Sequence, residues 1–132
     1  MRTALLDTMA VLRYSFRPEL LSAKAQERIL NNEGALVYSI VSLWEIGIKM
    51  SKRGYHDLEL PADWDQRIVR GLKQQKVEAI EITARHCKMV EELPQHHHDP
   101  FDRMIFAQAI ERDFTLVSSD RNAPLYVDEV IW

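Results

Sequence analysis

Apolar residues along this chain follow two rhythms. Short unbroken runs, "ALL" ahead of Asp7 and "ALVYS" at residues 35–39, have the length of strands covered on both faces. "VEAIEI" at residues 77–82 alternates like a strand, and "FTLVSSD" and "DEVIW" supply two more candidates. Between these runs the apolar spacing widens to three and four. "TMAVLRYSF", "SAKAQERILNN", "SLWEIGIKMSKRG", "PADWDQRIVRGLKQQ", "TARHCKMVEELP" and "DPFDRMIFAQAIERD" therefore read as helices. The punctuation agrees: Thr8, Ser42, Thr83 and Asp99 are N-cap residue types, and Pro61 and Pro100 suit a first helical turn. Asn31-Asn32-Glu33-Gly34 and Gly54 are stop signals.

Strands alternating with helices predict an α/β domain with a parallel sheet between helical layers. In such folds ligand-binding groups gather at the carboxyl ends of the strands, where strand order reverses. The acids at the element boundaries gain interest for that reason. Asp7 and Asp120 each end an apolar strand, while Glu45 and Asp102 are expected in the first turns of helices. Each has an ordinary explanation. Asp7 is a ready N-cap, Asp120 a turn acid, and Glu45 has Lys49 four residues on as an ion-pair partner. Asp99 and Asp102 suit the positive end of a helix dipole. Taken together they predict more. Strand ends and helix starts share one rim of a parallel sheet, so four carboxylates would meet there. Like charges that close repel and raise one another's pKa unless a cation lies between them. All-oxygen ligation suits Mg²⁺ or Mn²⁺.

Charge and composition sharpen this reading. Seventeen basic against twenty acidic side chains leave a net charge of −3, unlike a protein that grips a polyanion by phosphate contacts alone. The 132 residues suit one domain, taken as 1–132, and 46% hydrophobic content gives it an ordinary core. A lone Cys87 fits a reducing, cytoplasmic setting, and no stretch approaches the roughly 20 apolar residues of a membrane helix. Asp7 interrupts the apolar N-terminal run and no small-residue cleavage site follows, so no signal peptide is expected. His96-His97-His98 lacks zinc spacing. It is expected to be a solvated loop with one histidine near the site, His98 meeting a phosphate.

The motifs "LLDT" with Asp7, "SLWEIGIK" with Glu45, "HDPFDRMIFAQA" with Asp102 and "LVSSD" with Asp120 occur in order along the whole chain. In this the sequence resembles the PIN-domain nucleases, in particular the VapC-type ribonuclease toxins of toxin–antitoxin pairs. The resemblance implies a three-layer α/β/α domain with a parallel sheet ordered 3-2-1-4-5. It implies Mg²⁺- or Mn²⁺-dependent cleavage of RNA phosphodiesters by metal-activated water, a cognate antitoxin and a homodimer. It assigns the catalytic, metal-holding role to Asp7, Glu45, Asp102 and Asp120, with Thr8, Ser118 and Asp99 in support. Arg103, Arg121, Lys49, Lys52 and Arg53 lie close enough in sequence to contact an RNA backbone. Two other functions stay open on the residues alone. One is a non-catalytic RNA- or protein-binding domain of the same fold. The other is a receiver-type phosphate-sensing domain, which would want a Lys in the final strand region where none falls.

Overall fold

The computed structural model describes residues 2–31 and 34–132. Among these residues five strands form one sheet: β1 (Ala4–Leu6), β2 (Leu36–Ser39), β3 (Val77–Ile80), β4 (Thr115–Val117) and β5 (Val130–Ile131). All pairings are parallel and the spatial order is β3-β2-β1-β4-β5, as expected. Six α-helices connect them: α1 (Thr8–Phe16), α2 (Ala23–Leu30), α3 (Ile40–Met50), α4 (Trp64–Gln74), α5 (Ala84–Glu92) and α6 (Pro100–Arg112).

Alternation along the central strand divides the core into two layers. Ala4 and Leu6 of β1 face a cluster holding Val11 and Leu12 of α1, Ile29 of α2, Ile46 of α3, and Ile68 and Leu72 of α4. Leu5 faces the other side, against Ile105, Phe106 and Ala109 of α6 and Leu93 beyond α5. Helices thus cover both faces, and the three-residue β1 is wholly buried between them. Strand order reverses between β1 and β4, so the rim beyond Leu6 and Val117 is the place for a site.

Several boundaries fall elsewhere than the sequence predicts. Of the two cap candidates for helix α1, Asp7 serves, its Oδ1 accepting from Ala10 N at 2.8 Å, and Thr8 is the first helical residue instead. Helix α3 starts at Ile40, capped by Ser39 rather than Ser42, because β2 runs straight into it without a loop. Ser42 is then buried inside the helix, and Glu45 sits in its second turn. Helix α3 stops at Met50, and Gly54 N closes the following turn on Lys49 O at 2.9 Å. Pro61 lies ahead of α4, which begins at Trp64 after a turn from Pro61 O to Trp64 N. Thr83 and Asp99 cap α5 and α6 as expected, with Pro100 opening the latter. Of the stop signal after α2, Asn32 and Glu33 lie outside the described residues. No helix among the described residues is long and apolar enough to cross a membrane.

Candidate active site at the sheet switch point

Four elements bring the acids to one rim. Asp7 follows β1 directly, Asp120 lies three residues beyond β4, Glu45 projects from α3, and Asp102 is the third residue of α6. Asp7 and Glu45 are buried, at 7% and 5% exposure, which rules out Glu45 on a solvated helix face. Each acid is held by its surroundings. Asp7 keeps its capping bond to Ala10 N and accepts from the Ser118 hydroxyl. Glu45 Oε1 lies 2.7 Å from Thr8 Oγ1, whose hydroxyl donates to it, and Ser42 Oγ is 2.9 Å from the same Thr8 oxygen. Glu45 Oε2 pairs with Lys49 Nζ at 3.3 Å. Asp120 turns one oxygen to Asn122 N at 2.8 Å and the other into the pocket. Thr8 and Ser118, expected in support, thus each donate a hydrogen bond to one of the four carboxylates.

The electrostatics show that the four groups sense one another. Burial raises the Asp7 carboxyl to about 6; hydrogen bonds from Ser118 and Ala10 oppose the rise, and the charges of Asp120 and Glu45 add to it. Burial likewise raises Asp102 to about 7, with the charges of Asp99, Glu45 and Asp120 adding, and His97 opposing. Glu45 and Asp120 therefore act on both Asp7 and Asp102. A metal-free pocket of this kind carries an excess of negative charge that a divalent cation would relieve. The donors are chiefly carboxylate oxygens, so the set fits a hard cation such as Mg²⁺ or Mn²⁺.

The histidine loop differs from expectation. His98 is exposed, and His97 is the residue that enters the pocket. Its Nε2 lies 2.9 Å from both Asp102 Oδ2 and Asp120 Oδ2. These three side chains form a cluster with donor atoms within 4.8 Å of one another. Burial, which residue type alone does not reveal, separates the three: ahead of the Asp99 cap, His97 and Asp99 are partly covered while His96 and His98 are exposed.

Arg103 also takes another role than phosphate binding. It is buried, and its guanidinium donates to the carbonyls of Pro94 (2.8 Å), His97 (3.2 Å), Val90 (2.9 Å) and Leu93 (3.2 Å). A buried guanidinium has to satisfy its donors, and here the end of α5 and the histidine loop do so. Tyr126 completes the clamp, its hydroxyl accepting from His96 N and His97 N at 2.8 Å each and donating to Pro94 O at 2.7 Å. Asp99 spends Oδ1 on Phe101 N and Asp102 N, as a cap does. Lys49, Lys52, Arg53 and Arg121 are exposed. Lys49, Lys52 and Arg53 line a cavity of about 520 Å³ with Met9, Tyr55 and His56, beside the carboxylates rather than among them.

The sequence matches the family model of the PIN domain over residues 4–127. A search of curated proteins finds no match. Among solved structures, VapBC2 from Rickettsia felis, bound to a DNA fragment from its promoter, aligns with a TM-score of 0.67 at 16% identity, covering 98% of this chain and 97% of that one. A toxin–antitoxin complex from Klebsiella pneumoniae aligns with a TM-score of 0.66 at 18% identity, covering 98% and 96%. Mycobacterium tuberculosis VapC20, a sarcin–ricin loop cleaving toxin, aligns with a TM-score of 0.62 at 13% identity, covering 92% and 93%. At these identities the likeness is one of fold. The family match spans four of the five strands, the rim and all four carboxylates, and by it the chain belongs to the PIN domain family.

Proposed function

We propose that this protein is a Mg²⁺- or Mn²⁺-dependent endoribonuclease, the toxin of a toxin–antitoxin pair. The carrying observation is the convergence of Asp7, Glu45, Asp102 and Asp120 on the switch-point rim, with Asp7 and Asp102 raised to about 6 and about 7. Asp7 and Asp102 would be direct ligands, and Glu45 and Asp120 would complete the set. When bound, the cation supplies Lewis-acid polarisation of the phosphodiester and a lowered pKa for the attacking water. The chain's own groups do the rest. Thr8 and Lys49 fix the two Glu45 oxygens, Ser118 fixes Asp7, and Asn122 N fixes the outer Asp120 oxygen. Lys49, Lys52 and Arg53 beside the cavity offer charge to an RNA backbone. The loop-cleaving toxin among the structural neighbours supports RNA as the substrate, and the complexes support an antitoxin partner. With RNA as the substrate, we place the protein in the cytoplasm.

We assign a second copy of the chain to the exposed apolar strip of α3. Ile40 and Trp44, one helical turn apart, are 40% and 60% exposed, and the Trp44 ring meets Phe101 of α6 edge-on at 5.1 Å. Sedimentation of the wild type as a dimer and of Trp44→Glu as a monomer would bear this out; a wild-type monomer would remove it.

The catalytic reading is tested by incubating defined single-stranded and stem-loop RNAs with the protein in Mg²⁺ or Mn²⁺, in EDTA, and with Asp7→Asn. Cleavage should stop in EDTA and fall by about a hundredfold or more in the variant. Equal cleavage under all three conditions would end the proposal.

A further inference from the structure

Among the described residues, His97 sets its ring between two of the four carboxylates, Asp102 and Asp120, and its backbone is clamped. His97 N donates to the Tyr126 hydroxyl and His97 O accepts from Arg103, so the residue is held at both ends of its own peptide units. The ring then has one arrangement of its proton. Asp99 N is a backbone amide and can only donate, and it points at His97 Nδ1 at 3.3 Å. Nδ1 is therefore the acceptor, and the ring carries its proton on Nε2. That N–H lies between Asp102 Oδ2 and Asp120 Oδ2, 2.9 Å from each. An Nε2 in this state has no lone pair to offer a metal.

We propose that His97 is a placeholder for the cation rather than its ligand: the Nε2–H bridges Asp102 and Asp120 in the metal-free protein and competes with the metal for their inner oxygens. Resting on the nuclease reading above, this deepens it by assigning His97 a positioning role in metal loading. Two carboxylates facing each other in a partly buried pocket need a positive partner, and a shared N–H donor supplies a weak one. A divalent cation supplies a stronger one, and the imidazole then gives up at least one of its two bonds. The Arg103 and Tyr126 clamp keeps the ring close enough to return when the metal leaves.

The test compares Mn²⁺ affinity, by calorimetry and by the electron paramagnetic resonance signal of free Mn²⁺, for wild type, His97→Ala and His97→Gln. Removing a competing charge-assisted hydrogen bond should tighten Mn²⁺ binding by about tenfold in His97→Ala. His97→Gln, whose amide N–H₂ reaches toward the same oxygens, should return toward the wild-type value. The melting temperature of His97→Ala should fall without metal and recover in saturating Mn²⁺. A packing role alone would lower it equally in both. Nitrogen-15 spectra of the metal-free wild type should show the His97 proton on Nε2, a readout that needs no variant to fold. Weaker Mn²⁺ binding in His97→Ala would make His97 a ligand and overturn the proposal, as would unchanged binding or a proton found on Nδ1. A wild type that binds no Mn²⁺ would instead remove the metal reading itself.

Discussion

At the scale of single residues, the acids of this site answer to two demands at once. Asp7 caps α1 with one oxygen and faces the pocket, and Asp120 closes a turn on Asn122 N with Oδ1 while Oδ2 meets His97. The two readings that the sequence left open for each acid are thus compatible, because a carboxylate has two oxygens. The stability and chemistry of Asp120 should therefore separate. Asp120→Asn keeps an acceptor for Asn122 N, whereas Asp120→Ala loses it and should cost roughly 1 kcal/mol more in urea denaturation. RNA cleavage should be lost in both variants. Arg103 shows the opposite case, a residue whose role cannot be read locally. Its partners are carbonyls six to thirteen residues earlier, brought within reach only by the packing of α5 against α6. Arg103→Lys replaces a planar fork with a point charge, and it should lower stability by about 2 kcal/mol or more despite keeping the charge. Chemical denaturation monitored by tryptophan fluorescence would measure it. An unchanged midpoint would mean that the clamp contributes nothing.

At the scale of elements, legibility depended on whether a connection separates strand from helix. Thr83 and Asp99 sit in loops and were readable as caps from their residue type alone. At β1–α1 and β2–α3 the chain passes from strand to helix with almost no link. The cap then falls at the strand's end, on Asp7 or Ser39, and the hydroxyls of Thr8 and Ser42 are free to serve the site. Helix α6 carries a further consequence. Asp99 caps it and also pushes Asp102 upward through its charge. Asp99→Ala should cost about 1 kcal/mol in stability as a lost cap. In the same variant the Asp102 pKa should fall below its wild-type value of about 7, with carbon-13 titration of the Asp102 carboxyl as the readout. A pKa that stays put or rises would show that Asp99 exerts no charge effect on Asp102.

At the scale of the whole molecule, the alternating pattern predicted an α/β fold but could not fix strand order. Order rests on pairings between segments far apart in sequence, such as β1 with β4. The resemblance supplied it. The convergence of the acids follows from that order, and it imposes a pH dependence on the entire fold. Asp7 and Asp102 hold protons more tightly in the folded chain than an ordinary aspartyl group does, so the native state binds more protons than the unfolded state between about pH 4 and 7. Stability of the metal-free protein should therefore be greatest near the acid end of that window and decline as pH rises through about 6 and then about 7. The loss should be on the order of 3–5 kcal/mol, about 3 kcal/mol of it from Asp7; Asp102, with 26% of its side chain exposed, adds less than its shift alone implies. Saturating Mg²⁺ or Mn²⁺ should flatten the curve at neutral pH. Thermal melts from pH 4 to 8, with EDTA and with metal, would show it, and a metal-free protein that gains stability across the window would contradict the assignment.

The direct passage from Ser39 into Ile40 also sets a strict limit on length variation. With no slack between strand and helix, adding one residue there would turn the whole of α3 by about 100° and advance it by about 1.5 Å. Glu45 would then swing away from Thr8, and the strip that carries Ile40 and Trp44 would rotate with it. An insertion at this junction should therefore disable cleavage and pairing of subunits together, although it touches neither surface.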